Sequence, residues 1–118
     1  MILVMYNQDK DFYNYMGRIF GSRVIERQTN DRFYDDNEKE WYINVKDNKV
    51  VACVSLKNNN IKNIYTTKKE YLQEILVKIK EENKILPSAV SKLYRSVYID
   101  SGYTVADDEK YKNFVVIN

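Results

Sequence analysis

The spacing of apolar residues predicts four β-strands in the first half of the chain. Trp41, Ile43 and Val45 alternate with more polar neighbours, and an apolar run over residues 50–56 follows the turn residues Asp47 and Asn48. A period of two on both sides of a two-residue turn predicts a β-hairpin. The asparagines at 58–60 predict a second tight turn into a strand over residues 61–66, and residues 2–6 are a further β-prone run.

Helical spacing predicts four helices. The clearest is the third, which Thr66 or Thr67 is expected to cap. Its apolar face consists of Tyr71, Leu72, Ile75, Leu76 and Ile79. Two shorter helices precede the hairpin, one over residues 12–20 behind N-caps at residues 7–9 and one from the capping Ser22 to residue 28. The last helix carries Leu93, Tyr94, Val97 and Tyr98 on one face and ends at Gly102.

Three short strands over residues 86–90, 103–105 and 111–117 complete the order β-α-α-β-β-β-α-β-α-β-β. This order predicts an α/β fold with one mixed sheet of six to seven strands and helices on both faces. The chain has 118 residues, the size of one domain, so residues 1–118 are interpreted as a single domain. Residues 29–40 are almost wholly polar and are interpreted as a solvated loop.

Composition excludes several classes of function. The chain has no histidine and one cysteine, Cys53, which removes Ser-His and Cys-His nucleophile pairs, the usual zinc sites and an internal disulfide. Cys53 lies in an apolar strand and is interpreted as a small buried hydrophobe. The formal net charge of +2 is too small for a dedicated binder of phosphate backbones, so nucleic acid ranks last among the partners.

The apolar start at residues 2–5 is shorter than a signal-peptide core or a membrane span, so we expect a cytoplasmic protein with no membrane segment. The frequent use of Lys, Asn, Ile and Tyr is typical of AT-rich coding sequences. It points to a low-GC bacterium or one of its phages, and in the second case to the host cytoplasm.

Two segments carry a family resemblance. Near the end, Leu93 and Tyr94 precede the pattern Tyr98-x-x-x-Gly102-Tyr103, and earlier the segment EWYI at 40–43 is followed by NKVVA at 48–52. With the element order, these segments resemble the GNAT superfamily of N-acetyltransferases over nearly the whole chain.

The resemblance implies an acetyl-CoA site. In the family, the strand matching residues 61–66 splays from the strand matching 86–90, and pantetheine lies in the gap while pyrophosphate rests on the next helix N-terminus. The residues matching this site are Ile64, Tyr65, Thr66, Thr67, Lys68 and Lys69. A backbone amide of the splayed strand polarises the thioester carbonyl, and a tyrosine of the last helix protonates the thiolate. Tyr98 matches that tyrosine by position, with Tyr94 as the alternative.

The chain departs from the family pattern in two places. Its phosphate loop, residues 65–72, has no glycine and is several residues short, and strand 61–66 carries no carboxylate to act as base. Glu26, Asp35 or Asp36 would have to reach in. The function expected is an acyl-CoA-dependent N-acetyltransferase acting on an unidentified amine, weakened or inactive. The alternative is a non-catalytic GNAT-fold protein that acts as a protein-binding or regulatory module, through a protein partner or as a homodimer.

Each candidate residue also has a structural interpretation. Tyr98 is equally a core aromatic, and Lys68 with Lys69 equally a solvated first turn. Arg23 and Arg27 lie one turn apart in a region that borders the family's acceptor groove, where with Glu26 and Asp35 they would recognise a substrate, an acidic partner or nucleic acid. Their simpler role is ion pairing with Asp31, Asp35 and Glu26.

Two further sequence features bear on partners. The acidic residues at 35–36 and 107–109 match no metal-binding loop, so no metal site is assigned. Eleven tyrosines are more than a core of this size buries, which favours protein-protein contacts at the surface.

Overall fold

The computed structural model describes residues 1–118. It contains seven strands, four α-helices and one 3₁₀ turn. In chain order these are β1 (Ile2–Met5), α1 (Phe12–Phe20), α2 (Arg23–Thr29), β2 (Glu40–Lys46), β3 (Lys49–Lys57), β4 (Asn60–Thr66), α3 (Lys69–Glu82), β5 (Ser88–Ser91), the 3₁₀ turn (Lys92–Tyr94), α4 (Arg95–Asp100), β6 (Val105–Asp107) and β7 (Phe114–Ile117). The predicted α/β single domain is confirmed.

Asparagine and aspartate make the tight turns of the first sheet. Asp47 and Asn48 have φ values of 51° and 62°, and Asn58 and Asn59 have 52° and 65°. These residues tolerate the left-handed conformation better than other non-glycine residues, because their short side chains bond to the local backbone. The turns therefore allow β2, β3 and β4 to follow one another as an antiparallel meander beside β1.

The strands form two antiparallel sheets where the sequence predicted one mixed sheet of six to seven strands. One has the order β1-β2-β3-β4 and the other β5-β7-β6. Between them, β4 and β5 are joined only near their starts: the Leu86 amide donates to the Asn59 carbonyl at 2.9 Å, and the Ile61 amide to Ser88 Oγ at 2.8 Å. The Ser88 side chain takes the place of a backbone acceptor, since its Oγ accepts from Ile61 and donates in turn to the Leu86 carbonyl at 2.7 Å.

Two hydrophobic cores cover the two faces of the first sheet. Consecutive residues of a strand point to opposite faces, so Trp41 packs under α1 and α2 while Tyr42 packs under α3 and α4. The α3 core also includes Val90, Val115 and Ile117 of the second sheet. This shared core holds the two sheets together.

Three local predictions were wrong. Residues 30–39 are not simply a solvated loop, because Phe33 and Lys39 are each 3% exposed. Helix α1 begins after Asp11, which has φ 71° and makes no side-chain cap, and the residues at 7–9 do not cap it. Strand β6 begins at Val105, two residues later than predicted, because the Tyr103 amide still donates to the Tyr98 carbonyl of α4 at 3.0 Å. The Ser22 cap of α2 is confirmed, since its side chain accepts from the Ile25 amide at 3.2 Å.

The longest helix, α3, has 14 residues, and no helix combines the length and apolarity that crossing a bilayer requires.

Because the α3 core contains residues of both sheets, we expect a cavity in this core to lower the stability of the whole domain. Ile75 is fully buried there, so Ile75→Ala should lower the free energy of unfolding by about 2–5 kcal/mol. Urea unfolding should be followed by circular dichroism and by fluorescence of Trp41, which lies in the other core. Both signals should shift together.

The matched control is Val77→Ala on the exposed side of the same helix, expected to change stability by no more than about 0.5 kcal/mol. If Ile75→Ala moved the circular dichroism transition and left the Trp41 transition in place, the two cores would unfold independently.

Candidate functional site

The strands β4 and β5 are hydrogen-bonded to each other at their starts and share no ladder further along. They run in the same direction, since residues 59–61 meet residues 86–88 at one end and Thr66 meets the turn after β5 at the other. Past their starts no ladder joins them. We call the space between Tyr65 and Thr66 on one side and Val90 and Ser91 on the other the β4–β5 gap.

Tyr94 spans this gap. Its hydroxyl accepts a hydrogen bond from the Thr66 amide at 3.4 Å. The ring is half-buried, and this burial is the main cause that raises the pKa of Tyr94 above its ordinary value. At neutral pH the Tyr94 hydroxyl therefore keeps its proton. It lies beside the Thr66 amide, at the end of the gap where no ladder joins the two strands.

Tyr98 lies deeper, under α4. It is fully buried, and its hydroxyl donates to the Ser91 carbonyl at 2.6 Å. Burial raises the pKa of Tyr98, and the nearby Tyr94 and Asp31 raise it further. Of the two predicted tyrosines, Tyr94 contacts the β4 backbone, whereas Tyr98 holds the end of β5.

Helix α3 begins without a side-chain cap, contrary to the prediction for Thr66 and Thr67. Its N-cap is Lys68. The Thr66 hydroxyl bonds to the backbone of Lys68, and the Thr67 hydroxyl donates to the Val51 carbonyl at 3.2 Å. The Lys69 and Glu70 amides donate to no group of the chain. Free first-turn amides attract an anion, and the exposed Lys68 and Lys69 side chains add positive charge.

The two remaining residues of the predicted acetyl-CoA site lie on opposite faces of β4. Ile64 is buried in the α3 core. Tyr65 is half-buried, packs against the α1–α2 core and lines a cavity of about 350 Å³ with Arg18, Ser22 and Thr67. Only the backbone of Ile64 is therefore open to a ligand in the gap.

Of the residues predicted for the acceptor side, the two aspartates are engaged with other groups of the chain. Asp35 accepts hydrogen bonds from the Tyr13 hydroxyl and from Asn7 Nδ2, and the Tyr13 bond is the main cause that lowers its pKa. Asp36 pairs with Lys57 at 2.6 Å.

Beside them, Glu26 is half-buried on α2. Arg23 and Arg27 are exposed and form no ion pair, so the expected pairing with Asp31, Asp35 and Glu26 is absent.

A buried polar network that the sequence analysis missed lies on the α1–α2 side of β4. Asn63 is at its centre: its Nδ2 donates to Asp31 Oδ2 at 3.0 Å, and its Oδ1 accepts from Lys39 Nζ at 3.0 Å and from Ser55 Oγ at 2.8 Å. Burial raises the pKa of Asp31 and lowers that of Lys39. One signal was present, because Lys39 continues the inward alternation of Trp41 and Ile43.

Cys53 is fully buried, as predicted, and burial raises the pKa of its thiol. The acidic residues at the end of β6 and directly after it bond to other groups of the chain. Asp107 pairs with Arg95 at 2.9 Å, and Asp108 Oδ1 accepts from the Lys110 amide at 2.8 Å.

No protein-family model matches the sequence, and no curated protein matches it significantly.

The buried hydroxyl of Tyr98 predicts a loss of stability at alkaline pH. Its pKa in the folded chain lies above the ordinary value of 10.0, so above about pH 10 the unfolded chain releases this proton first and stability falls as the pH rises. A single such group contributes about 1.4 kcal/mol per pH unit. We expect Tyr98→Phe to flatten the fall between about pH 10 and about pH 12 by this slope.

The measurement is urea unfolding at several pH values across that range and at about pH 8. Near about pH 8 the free energy of unfolding of the two proteins should change with pH to the same extent. An equally steep alkaline fall in Tyr98→Phe would mean that Tyr98 ionises freely in the folded protein.

Proposed function

We propose that this chain is a GNAT-like N-acyltransferase that takes acetyl-CoA in the β4–β5 gap and acts on an amine. The observation that carries the proposal is the Thr66 amide, whose only partner across the gap is the Tyr94 hydroxyl at 3.4 Å. A hydrogen bond of this length is weak, so the amide is a donor that a ligand carbonyl can take over.

The first turn of α3 is suited to bind the phosphate groups at the anionic end of the same ligand. The Lys69 and Glu70 amides are free, and a helix N-terminus with free amides is suited to phosphate oxygens. Lys68 and Lys69 place cations where they oppose the helix dipole, and a bound anion would relieve that opposition. The missing glycine limits how closely the backbone approaches a phosphate, so we expect modest affinity.

Acetyl-CoA, when bound, supplies an activated acyl thioester. The Thr66 amide would hold the carbonyl oxygen of such a ligand, and Tyr94 would move aside and keep its proton available at the sulfur end. The Tyr98 proton is engaged by the Ser91 carbonyl at 2.6 Å, so in this proposal Tyr98 positions the end of β5 and Tyr94 is the proton donor.

A second candidate function is a non-catalytic binding or regulatory module. The observation that favours it is the position of Tyr94 itself. Its hydroxyl already bonds to the Thr66 amide, which is the donor that a ligand in the gap would need. In that case the exposed tyrosines, among them Tyr13, Tyr34 and Tyr111, would contact a protein partner or a second copy of the chain.

Charge removal at the start of α3 tests ligand binding. We expect Lys68→Met with Lys69→Met to weaken binding of desulfo-CoA, measured by calorimetry, by about tenfold or more, because charge-assisted contacts to phosphate are lost. The control is Lys80→Met with Lys84→Met, which removes the same charge near the other end of α3 and should leave the affinity unchanged. Absence of wild-type binding at millimolar ligand would refute the acyl-CoA proposal.

Removal of the Tyr94 hydroxyl separates binding from catalysis. We expect Tyr94→Phe to reduce thiol release from acetyl-CoA, in the presence of a panel of primary amines, by about 10²-fold or more. Binding of desulfo-CoA should be equal or tighter, since the Thr66 amide becomes free. Wild-type protein that binds desulfo-CoA and releases no thiol with any amine would support the non-catalytic module instead.

A further inference from the structure

Lys39 is a buried cation without a paired anion. Its side chain is 3% exposed. Two of the three ammonium protons have acceptors, the Tyr34 carbonyl at 3.1 Å and Asn63 Oδ1 at 3.0 Å. The third has none, and no carboxylate lies within 4.0 Å of the nitrogen, because the ion pairs of the chain involve other residues. Lysine is almost never fully buried in this way unless it is paired.

The nearest carboxylates are already engaged. Asp36 pairs with Lys57 at 2.6 Å, and Asp31 accepts from Asn63 Nδ2 at 3.0 Å. The Tyr34 ring, whose centroid is 3.9 Å from the ammonium, compensates for part of the lost hydration. The neutral acceptors and the ring carry no negative charge, and Asp36 and Asp31 act on the ammonium only from beyond ion-pair distance.

Lys39 is one of the residues that line a cleft of about 360 Å³, which is within the usual size range of small-molecule sites. Arg32 and Lys62 stand at its rim, both exposed and both without an ion pair. With Lys57 neutralised by Asp36, the cleft presents three unpaired cations and the single carboxylate of Asp31. These groups sum to a net positive charge, so the cleft favours an anion.

We propose that this cleft binds a small molecule carrying one carboxylate, which accepts the third hydrogen bond of Lys39 and lies between Arg32 and Lys62. A carboxylate is favoured over phosphate because the cost of removing an ion from water rises steeply with its charge, and Asp31 beside the same space weakens the attraction that would offset this cost. Arg32 suits a carboxylate because its guanidinium donates two parallel hydrogen bonds. The proposal does not depend on acyl-CoA binding, since the residues concerned are distinct from Thr66, Tyr94 and the start of α3.

The test is a titration of ¹⁵N-labelled protein with sodium propionate, followed by the side-chain amide signals of Asn63 and the backbone amide of Lys39. Sodium chloride and sodium phosphate at equal ionic strength are the comparison salts. We expect saturable shifts with propionate and an apparent Kd of about 10 mM or tighter, and much smaller shifts with the other two salts.

The variant Lys39→Met should abolish the propionate shifts, and its fold should be checked by the fluorescence of the adjacent Trp41. The control Lys10→Met, an exposed lysine outside the cleft, should bind as wild type does. Equal shifts with chloride, stronger shifts with phosphate, or retained binding in Lys39→Met would each overturn the proposal.

If Lys39→Met does not fold, Arg32→Met with Lys62→Met replaces it. These two side chains are exposed, so the double variant should fold and bind propionate about tenfold more weakly. Unchanged affinity in this variant would overturn the assignment of the cleft.

Discussion

The short set of hydrogen bonds between the starts of β4 and β5 is the constraint on which the rest of the structure depends. The Asn59 carbonyl and Ser88 Oγ tie two sheets together at one end, and no ladder continues from these bonds along β4 and β5. The gap, the position of Tyr94 and the free start of α3 all lie at the opposite end. The shared core beneath α3 makes this divergence stable, because it buries residues of both sheets on one face.

The other face of β4 is organised by polar contacts. Asn63 links Lys39, Ser55 and Asp31, and the register shift within the β3–β4 pair places Ile61 and Ile64 together on the α3 side. A bulge of this kind changes which side chains share a face.

Local patterns predicted the elements well and the long-range polar contacts poorly. The alternation of Trp41, Ile43 and Val45 sufficed for β2, and the left-handed turns at Asn58 and Asn59 followed from the chemistry of asparagine. The segment 29–40 was misread because its anchors are bonds to Asn63, 24 residues from Lys39 and 32 from Asp31. No local average of polarity contains that information.

The separate roles of the two tyrosines could not be predicted for a similar reason. Residue spacing identified Tyr94 and Tyr98 as members of one helical face, but their roles depend on which backbone group each hydroxyl meets in space. The splitting of the strands into two sheets was likewise not predictable, since it depends on Ser88 replacing a backbone acceptor 27 residues from Ile61.

The unequal strength of the two tyrosine hydrogen bonds determines which part of the site can move. The Tyr98 bond to Ser91 is 2.6 Å long and buried, and breaking it would leave a buried carbonyl unsatisfied at a cost of about 1–3 kcal/mol. The Tyr94 bond to Thr66 is 3.4 Å long and partly buried, and water or a ligand carbonyl can replace it at small cost. In the proposed function a ligand would therefore displace Tyr94 alone, while Tyr98 holds α4 and the end of β5 in place.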